Sequence, residues 1–263
     1  MKTEINGALI HYRREGNGFP ILMLHAGVAD SRMWQPQVDS FAKHFDVIRP
    51  DMRGFGDSEL PPRQWSPVGD LIGLMDELRL KPAHVIGCSM GGSLAIDFAI
   101  DHPERVSKLV LVGAGVSGQK EDPRHEGLYA EVMAADERGD MNAVNEAEMY
   151  LWLDGPYRPR GYVAAPLREL FLDMNGKNMH ADWATAPRQN LEPPAVSRLG
   201  EINAPTLVIV GDADLEPTRE TADMLASSIK GARKAVIHDA AHLPNLEHPK
   251  EFNRMVLDFL LED

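Results

Sequence analysis

Short apolar runs alternate with longer amphipathic stretches along most of this chain. Pro20 to Leu24, Phe45 to Arg49, Ala83 to Gly87, Val106 to Val112, Pro205 to Gly211 and Lys234 to His238 are continuous or nearly continuous apolar segments. Such runs suit strands buried on both faces of a parallel sheet. Between them, Ser66 to Leu80 carries Leu71, Leu74, Met75 and Leu78 at helical spacing. Gly91 to Asp101 repeats the pattern with Leu94, Ala95, Phe98 and Ala99, and residues 216–230 and 249–261 are also helix-like. At the N-terminus, Ile5 and Ala8 to Arg14 flank Asn6-Gly7, a pair that predicts a tight hairpin turn. A hairpin followed by strand-helix alternation predicts an α/β fold with a mostly parallel, doubly wound sheet.

One stretch breaks the alternation. Residues 115–196 contain no convincing strand but do contain helical patterns, including Leu128 to Arg138 and Asn142 to Leu153. Because the strand pattern resumes at Pro205, this stretch reads as a helical cap inserted into one sheet domain. The competing reading is a second helical layer packed on the core. The expected division is therefore a core in two parts, 1–114 and 197–263, with the cap at 115–196.

Composition changes this picture little. At 263 residues, 43% hydrophobic and 25% charged, the chain has the size and make-up of one globular α/β domain. The formal net charge of -13 argues against a surface built for nucleic acid or anionic lipid. A single cysteine, Cys88, rules out an intramolecular disulfide and fits a reducing compartment. The first residues show no apolar signal-like segment, and the longest apolar runs are too short to cross a bilayer. A cytoplasmic location is the resulting expectation. Oligomeric state is left open by the sequence.

The candidate chemistry centres on Gly87-Cys88-Ser89-Met90-Gly91, which closes one predicted strand and opens a helix. A serine hydroxyl is a weak nucleophile, so it must project where a base reaches it. A sharp strand-to-helix turn does that, and the helix N-terminus aims backbone N–H groups at a developing oxyanion. The plainer reading is a serine that only caps the helix. Of ten histidines, His242 stands out as the base, because it lies in a loop after the last strand and before the C-terminal helix. His238 competes at the strand end; His84 lies inside a strand, and His248 falls at a turn. An acid must hold the imidazole tautomer, and Gly211-Asp212-Ala213-Asp214 follows a strand with two candidates. Asp212 sits nearer the strand end, where it can shape the turn; Asp214 reaches further into the loop. Cys88 is expected to be a small buried side chain, and Trp152 a helix-packing aromatic rather than a pocket wall. No metal-ligand spacing is present.

Several segments extend beyond the nucleophile motif: Leu24-His25-Ala26-Gly27, Asp51-Met52-Arg53-Gly54-Phe55-Gly56-Asp57-Ser58, Ser89-Met90-Gly91-Gly92, His102-Pro103-Glu104-Arg105-Val106 and Gly211-Asp212-Ala213-Asp214. Together they resemble the α/β-hydrolase superfamily over nearly the whole chain, with a flavour similar to 3-oxoadipate enol-lactonase-like hydrolases and carboxylesterases. The resemblance implies an α/β-hydrolase fold with an inserted helical cap, and a catalytic set in the chain order Ser89, Asp214, His242. It implies an oxyanion hole made by the backbone N–H of Met90 and of Gly27, with Val28 as an alternative. Two departures stand out: Ala26 and Ala241 each replace a glycine common in the family. His25 is expected to brace its loop. Asp51 and Arg53 are expected to organise theirs, with a substrate-anion clamp as the alternative for Arg53.

The implied function is hydrolysis of a small carboxylic ester or lactone through an acyl-enzyme, with no cofactor and no metal. The expected partner is that small-molecule substrate, and neither nucleic acid nor membrane. Ser89 disfavours the haloalkane dehalogenases and epoxide hydrolases of similar fold, which carry Asp at the nucleophile position. Hydroxynitrile lyase and perhydrolase or haloperoxidase activities use the same three residues and stay open. Carbon–carbon bond hydrolases do too, although the glycine-rich oxyanion loop common among them is absent. A receptor-like protein with little turnover is the non-enzymatic alternative.

Overall fold

The structure is a computed structural model, described for residues 1–120, 122 and 124–262, the side chains of residues 124–126 excepted. Lys2–Ile5 (β1) and Ala8–Gly16 (β2) form the N-terminal hairpin, with Asn6 and Gly7 both at positive φ, 47° and 73°. That pair of signs is what a two-residue turn needs to follow the right-handed twist of its strands. Next come Phe19–Leu24 (β3), Gln35–Phe41 (α1), Phe45–Pro50 (β4), Pro67–Glu77 (α2), Ala83–Cys88 (β5), Met90–Asp101 (α3) and Val106–Val112 (β6). After a long helical segment the alternation resumes with Thr206–Gly211 (β7) and ends with Arg233–Ile237 (β8) and the C-terminal helices.

The eight strands form one sheet in the order β1-β2-β4-β3-β5-β6-β7-β8. The β1–β2 and β2–β4 pairs are antiparallel, and every pair from β4 to β8 is parallel. Strand β8 ends at Ile237, so His238 starts the following loop rather than closing the strand.

Alternate residues of each central strand face opposite sides. Leu22, Val85, Leu109, Leu111, Val208 and Val210 pack in a cluster with α2, α3 and Glu216–Ser228. Ile21, Met23, Ile86, Val110, Val112 and Ile209 pack in a second cluster with α1 and Pro249–Leu261. A sheet buried on both faces explains why these strands read as unbroken apolar runs.

Residues 115–196 hold Arg124–Glu137 (α4), Met141–Met149 (α5), a widened π-turn at Tyr150–Asp154 and Ala165–Asn178 (α6), followed by short 3₁₀ turns. Glu121 and Pro123 fall outside the described residues. The helix expected over Leu128 to Arg138 begins earlier, at Arg124. The one expected over Asn142 to Leu153 divides, because α5 gives way to the π-turn at Tyr150. Beyond β7 the helices Glu216–Ser228 (α7), Pro244–Glu247 (α8) and Pro249–Leu261 (α9) complete the chain. Among the described residues no helix is long and apolar enough to cross a membrane.

Candidate active site

Sheet register assembles the site. Leu24 pairs with Gly87, Cys88 with Val112, Val112 with Ile209, and Gly211 with Ile237. The carboxyl ends of β3, β5, β6, β7 and β8 therefore form one rim, and the loops carrying Gly27, Ser89, Gly113, Asp214 and His242 leave from it. The order reverses between β3 and β5, one going out to β4 and the other to β6. Crevices at such reversals are where open α/β sheets bind ligands.

Ser89 sits at φ 53°, ψ -113°, immediately before α3, and makes no side-chain capping hydrogen bond. A capping serine takes an extended backbone and accepts from the first helical turn; Ser89 does neither. Its backbone instead is held by Ser89 N–H donating to Val112 O at 2.9 Å and Ser89 O accepting from Ser93 N–H at 2.9 Å. A non-glycine residue in this region is strained and is kept there by its surroundings. The following glycine is required by close approach: a Cβ on Gly91 would lie 2.4 Å from Leu24 O and 2.5 Å from His25 O. Cys88 is fully buried against the α9 side of the sheet, and burial pushes its thiol pKa up, which keeps it protonated and unreactive.

His242 and Asp214 form a buried pair, with Nδ1 2.8 Å from Asp214 Oδ2. A carboxylate only accepts, so Nδ1 carries a proton, and in the neutral ring the lone pair is on Nε2. Nε2 is itself buried and without a hydrogen-bond partner among the described residues. The other carboxylate oxygen, Asp214 Oδ1, accepts from Leu215 N–H at 2.7 Å. Gly113, at φ 49°, makes room for the pair: a Cβ there would meet His242 Cε1 and Nδ1 at 3.2 Å and Asp214 Oδ2 at 3.3 Å. Because Gly113 follows the Val112 carbonyl that holds Ser89, the imidazole and the serine flank the same strand end.

The competing residues are engaged elsewhere. Asp212 receives His238 Nδ1 at 2.9 Å and Asp239 N–H at 2.7 Å, in an exposed pair that shapes the turn. His84 is buried between Phe19 and Phe45, ring centroids 4.6 and 5.6 Å away. His248 immediately precedes α9 without a side-chain capping bond and donates from Nε2 to Asp239 O at 2.9 Å.

His25 braces two loops. Its Nδ1–H donates to Ala26 O at 2.8 Å and its Nε2 accepts from Met52 N–H at 2.9 Å. Burial holds its pKa below the usual histidine value, so this neutral tautomer persists. Gly27 lies beside Met90: a Cβ on Gly27 would be 3.7 Å from Met90 Cβ, an ordinary contact. Neither Ala26 nor Gly27 takes a positive φ, so alanine at 26 leaves the loop path undisturbed. Asp51 gathers Ser31 N–H, Asp57 N–H and His11 Nδ1 within 2.9 Å, tying the next loop down. Arg53 donates to Asp70 through Nε at 2.6 Å and Nη2 at 2.8 Å, while its Nη1 is buried without a hydrogen-bond partner among the described residues. His11, Asp51 and Asp57 also bring three ligand atoms within 4.8 Å of one another. Their atoms already serve each other and Lys177.

Trp152 packs edge-on against Tyr129 of α4, ring centroids 5.8 Å apart, as a helix-packing aromatic does, and it also reaches the site. Its ring lies 4.5 Å from the His242 ring, and its carbonyl accepts the His242 N–H at 3.2 Å. Trp152 lies in the middle of the π-turn Tyr150–Asp154. Three other residues at the site escaped sequence reasoning: Gly113, Arg158 and Glu247. Only Glu247 left a signal, as an acid in the first turn of a Pro-initiated helix.

A cavity of about 690 Å³ opens beside Met90. Leu24, Leu71, Leu74 and Leu94 line it together with Trp65, Trp183, residues 188–192 and Pro194. Asp97 is at its polar end, where burial raises its pKa and Ser117 Oγ donates to it at 2.6 Å.

Comparison with known proteins agrees with this architecture. The chain is 36% identical over 264 residues to 2-hydroxymuconate semialdehyde hydrolase of Pseudomonas sp. (strain CF600), covering 94% of this chain and 88% of that one. It superimposes on the enol-lactonase from Burkholderia xenovorans LB400 with a TM-score of 0.80, at 30% identity and with 100% of both chains covered. An esterase from Thermogutta terrifontis matches with a TM-score of 0.77 at 28% identity, covering 98% of this chain and 96% of that one. Residues 21–255 match the alpha/beta hydrolase family model. The chain therefore belongs to the alpha/beta hydrolase family.

Proposed function

We propose that the protein hydrolyses a carboxylic ester or lactone through an acyl-enzyme on Ser89. The observation that carries this reading is the strained, uncapped Ser89 at the rim of the sheet, beside a buried His242–Asp214 pair whose Nε2 is unpartnered. Ser89 Oγ attacks the substrate carbonyl as His242 Nε2 takes its proton, and Asp214 stabilises the imidazolium that forms. The N–H groups of Met90 and Gly27 stabilise the tetrahedral oxyanion. The imidazolium protonates the leaving alkoxide, and the same base then activates water to release the acid.

The cavity beside Met90, which Ser89, His242 and Gly27 do not themselves line, supports a reading of the substrate class. Its size suits a small molecule, and its leucine and tryptophan walls favour an extended or aromatic apolar group. Hydrolysis should therefore rise with chain length across a panel of p-nitrophenyl esters and lactones, then fall once the cavity is filled. Ser89→Ala is expected to lower turnover on the order of 10⁴-fold or more while the melting temperature stays near wild type. A fluorophosphonate probe should add to Ser89 in the wild type. Full activity in Ser89→Ala, or no adduct on Ser89, sinks the mechanism.

A second reading is favoured by the 36% identity to the semialdehyde hydrolase: a substrate of the 2-hydroxymuconate semialdehyde type. Assaying that compound beside the ester panel separates the two. Faster turnover of the semialdehyde than of any ester or lactone selects the second.

A further inference from the structure

The end of α5 holds a device that the proposed chemistry does not use directly. A helix leaves its last carbonyls without intrahelical partners. At Tyr150–Asp154 the π-turn closes with Gly155 N–H donating to Tyr150 O at 2.9 Å, and the carbonyls that follow Tyr150 and Leu151 point outward to other groups. Trp152 O accepts His242 N–H at 3.2 Å. Leu153 O accepts Arg158 Nη2 at 3.0 Å, and Asp154 O accepts Arg158 Nε.

The same guanidinium reaches the histidine loop. Arg158 Nη1 donates to Asp239 O at 2.9 Å and Nη2 to Glu247 Oε2 at 2.7 Å. Glu247 then accepts Ala241 N–H on Oε1 at 2.7 Å, one residue before His242. The pair is well shielded, with the Arg158 side chain 8% exposed and that of Glu247 4%. One planar cation thus bridges the turn that carries Trp152 and both ends of the loop that carries His242.

We propose that Arg158 and Glu247 are positioning residues: together they clasp the Trp152 turn onto the 239–247 loop and so fix the His242 imidazole. This rests on His242 being the base. The clasp acts through the imidazole's placement, and neither residue takes part in bond making. Arg suits the role because its rigid fork serves acceptors in several directions at once, which a lysine point charge does not.

The clasp also has a pH range. Burial pushes the Glu247 carboxyl up to about 7, against the opposing pull of Arg158. The groups facing it are Arg158 from the segment after the π-turn, His248 at the start of α9, and the Ala241 N–H; Asp239 shares Arg158 and His248 with it. Tyr162 adds its ring 4.4 Å from the Arg158 guanidinium and its hydroxyl to Asp239 Oδ2 at 2.6 Å. Protonating Glu247 removes the charge that Arg158 binds, so the clasp is complete above about 7 and weakens below it.

The test uses the full chain with Arg158→Met, Arg158→Lys, Glu247→Gln and Glu247→Ala. It reads kcat and KM on the best ester, the rate of Ser89 labelling by a small fluorophosphonate, melting temperature, and the His242 ring resonance by NMR. Arg158→Met and Glu247→Ala are expected to lower kcat about 10- to 100-fold with KM within a few-fold, because a misplacement near 1 Å costs that much. Labelling should slow in parallel, and the His242 resonance should shift or broaden. Glu247→Gln keeps an acceptor for Ala241 N–H and should recover part of the rate, while its kcat–pH profile loses one ionisation on the acid side. Arg158→Lys carries the test if Arg158→Met fails to fold. Folded variants with wild-type kcat and an unmoved His242 resonance overturn the clasp. Failure of the base assignment is distinct: it shows as a wild type that does not label at Ser89, and the NMR readout then judges the clasp alone.

Discussion

Ser89 holds a backbone conformation that its own side chain disfavours, and neighbours rather than local preference keep it there. The Val112 carbonyl, the close-packed Gly91 and the open side of Gly113 all act on this point. Gly113 is the more informative to change. An alanine there meets two His242 ring atoms at 3.2 Å and must also keep φ at 49°. Gly113→Ala is expected to destabilise the fold by about 1 kcal/mol through its backbone alone. Its main effect is on chemistry: kcat falls about tenfold or more as the imidazole is displaced. Urea unfolding together with ester turnover checks this, and an undiminished kcat would show that the ring has room to spare. At this scale much was legible, because G-x-S-x-G in a strand-to-helix setting demands a particular turn. Which acid serves which histidine came only through the family resemblance, which implies Asp214, because Asp212 and Asp214 differ by two positions; the fold places His238 on Asp212 and His242 on Asp214.

Between elements, buried amides hold the short helix that follows His242. Gln37 Nε2 donates to Asn245 O and to Asn253 Oδ1, both at 3.0 Å, and Asn245 Nδ2 donates to Met33 O at 3.0 Å. Asn253 Nδ2 completes the network on Pro36 O at 3.0 Å. These bonds tie α1, α8 and α9 into one block beneath the histidine loop. Asn245→Ala removes the Nδ2 donor that serves the buried Met33 carbonyl and Gln37 Oε1, at a cost of about 1–3 kcal/mol. Chemical denaturation at neutral pH measures it; a change under 0.5 kcal/mol would mean that the network relaxes around the gap. Helices and strands of the sheet were readable because their periods persist over many residues. The π-turn was not, because widening one turn needs no special residue, and its reward is contact with a loop far along the chain. The contact of Trp152 with His242 lay beyond the sequence for that reason.

Across the whole molecule, a sheet covered on both faces leaves little room for charge. His84 shows the consequence at the end of the sheet opposite the site. Burial, reinforced by Lys108, pushes its pKa down to about 4 from the usual 6.5. The unfolded chain therefore binds a proton between about 6.5 and 4 that the folded protein refuses. Stability from this group is complete above the upper value and is lost as pH falls through the window, by on the order of 2–3 kcal/mol in full. His84→Phe, placed between Phe19 and Phe45, should be more stable than wild type at pH 5, with the difference shrinking above pH 7. Urea unfolding at the two pH values tests it, and an equal offset at both would assign the effect to packing alone.

The sequence by itself determined the alternation of strands and helices, the two-faced sheet, the serine turn and the order of the three site residues. Each of these is written in local backbone preference or in the period of apolar positions, which neighbours in the chain enforce. Tertiary structure supplied the hydrogen bond between His242 and Asp214, 28 positions apart, and it alone decided the reach of Arg158 to Asp239 and Glu247, 81 and 89 positions on. Those contacts follow from strand register and from one widened turn. Both are settled by packing among elements, where no short stretch of sequence holds the information.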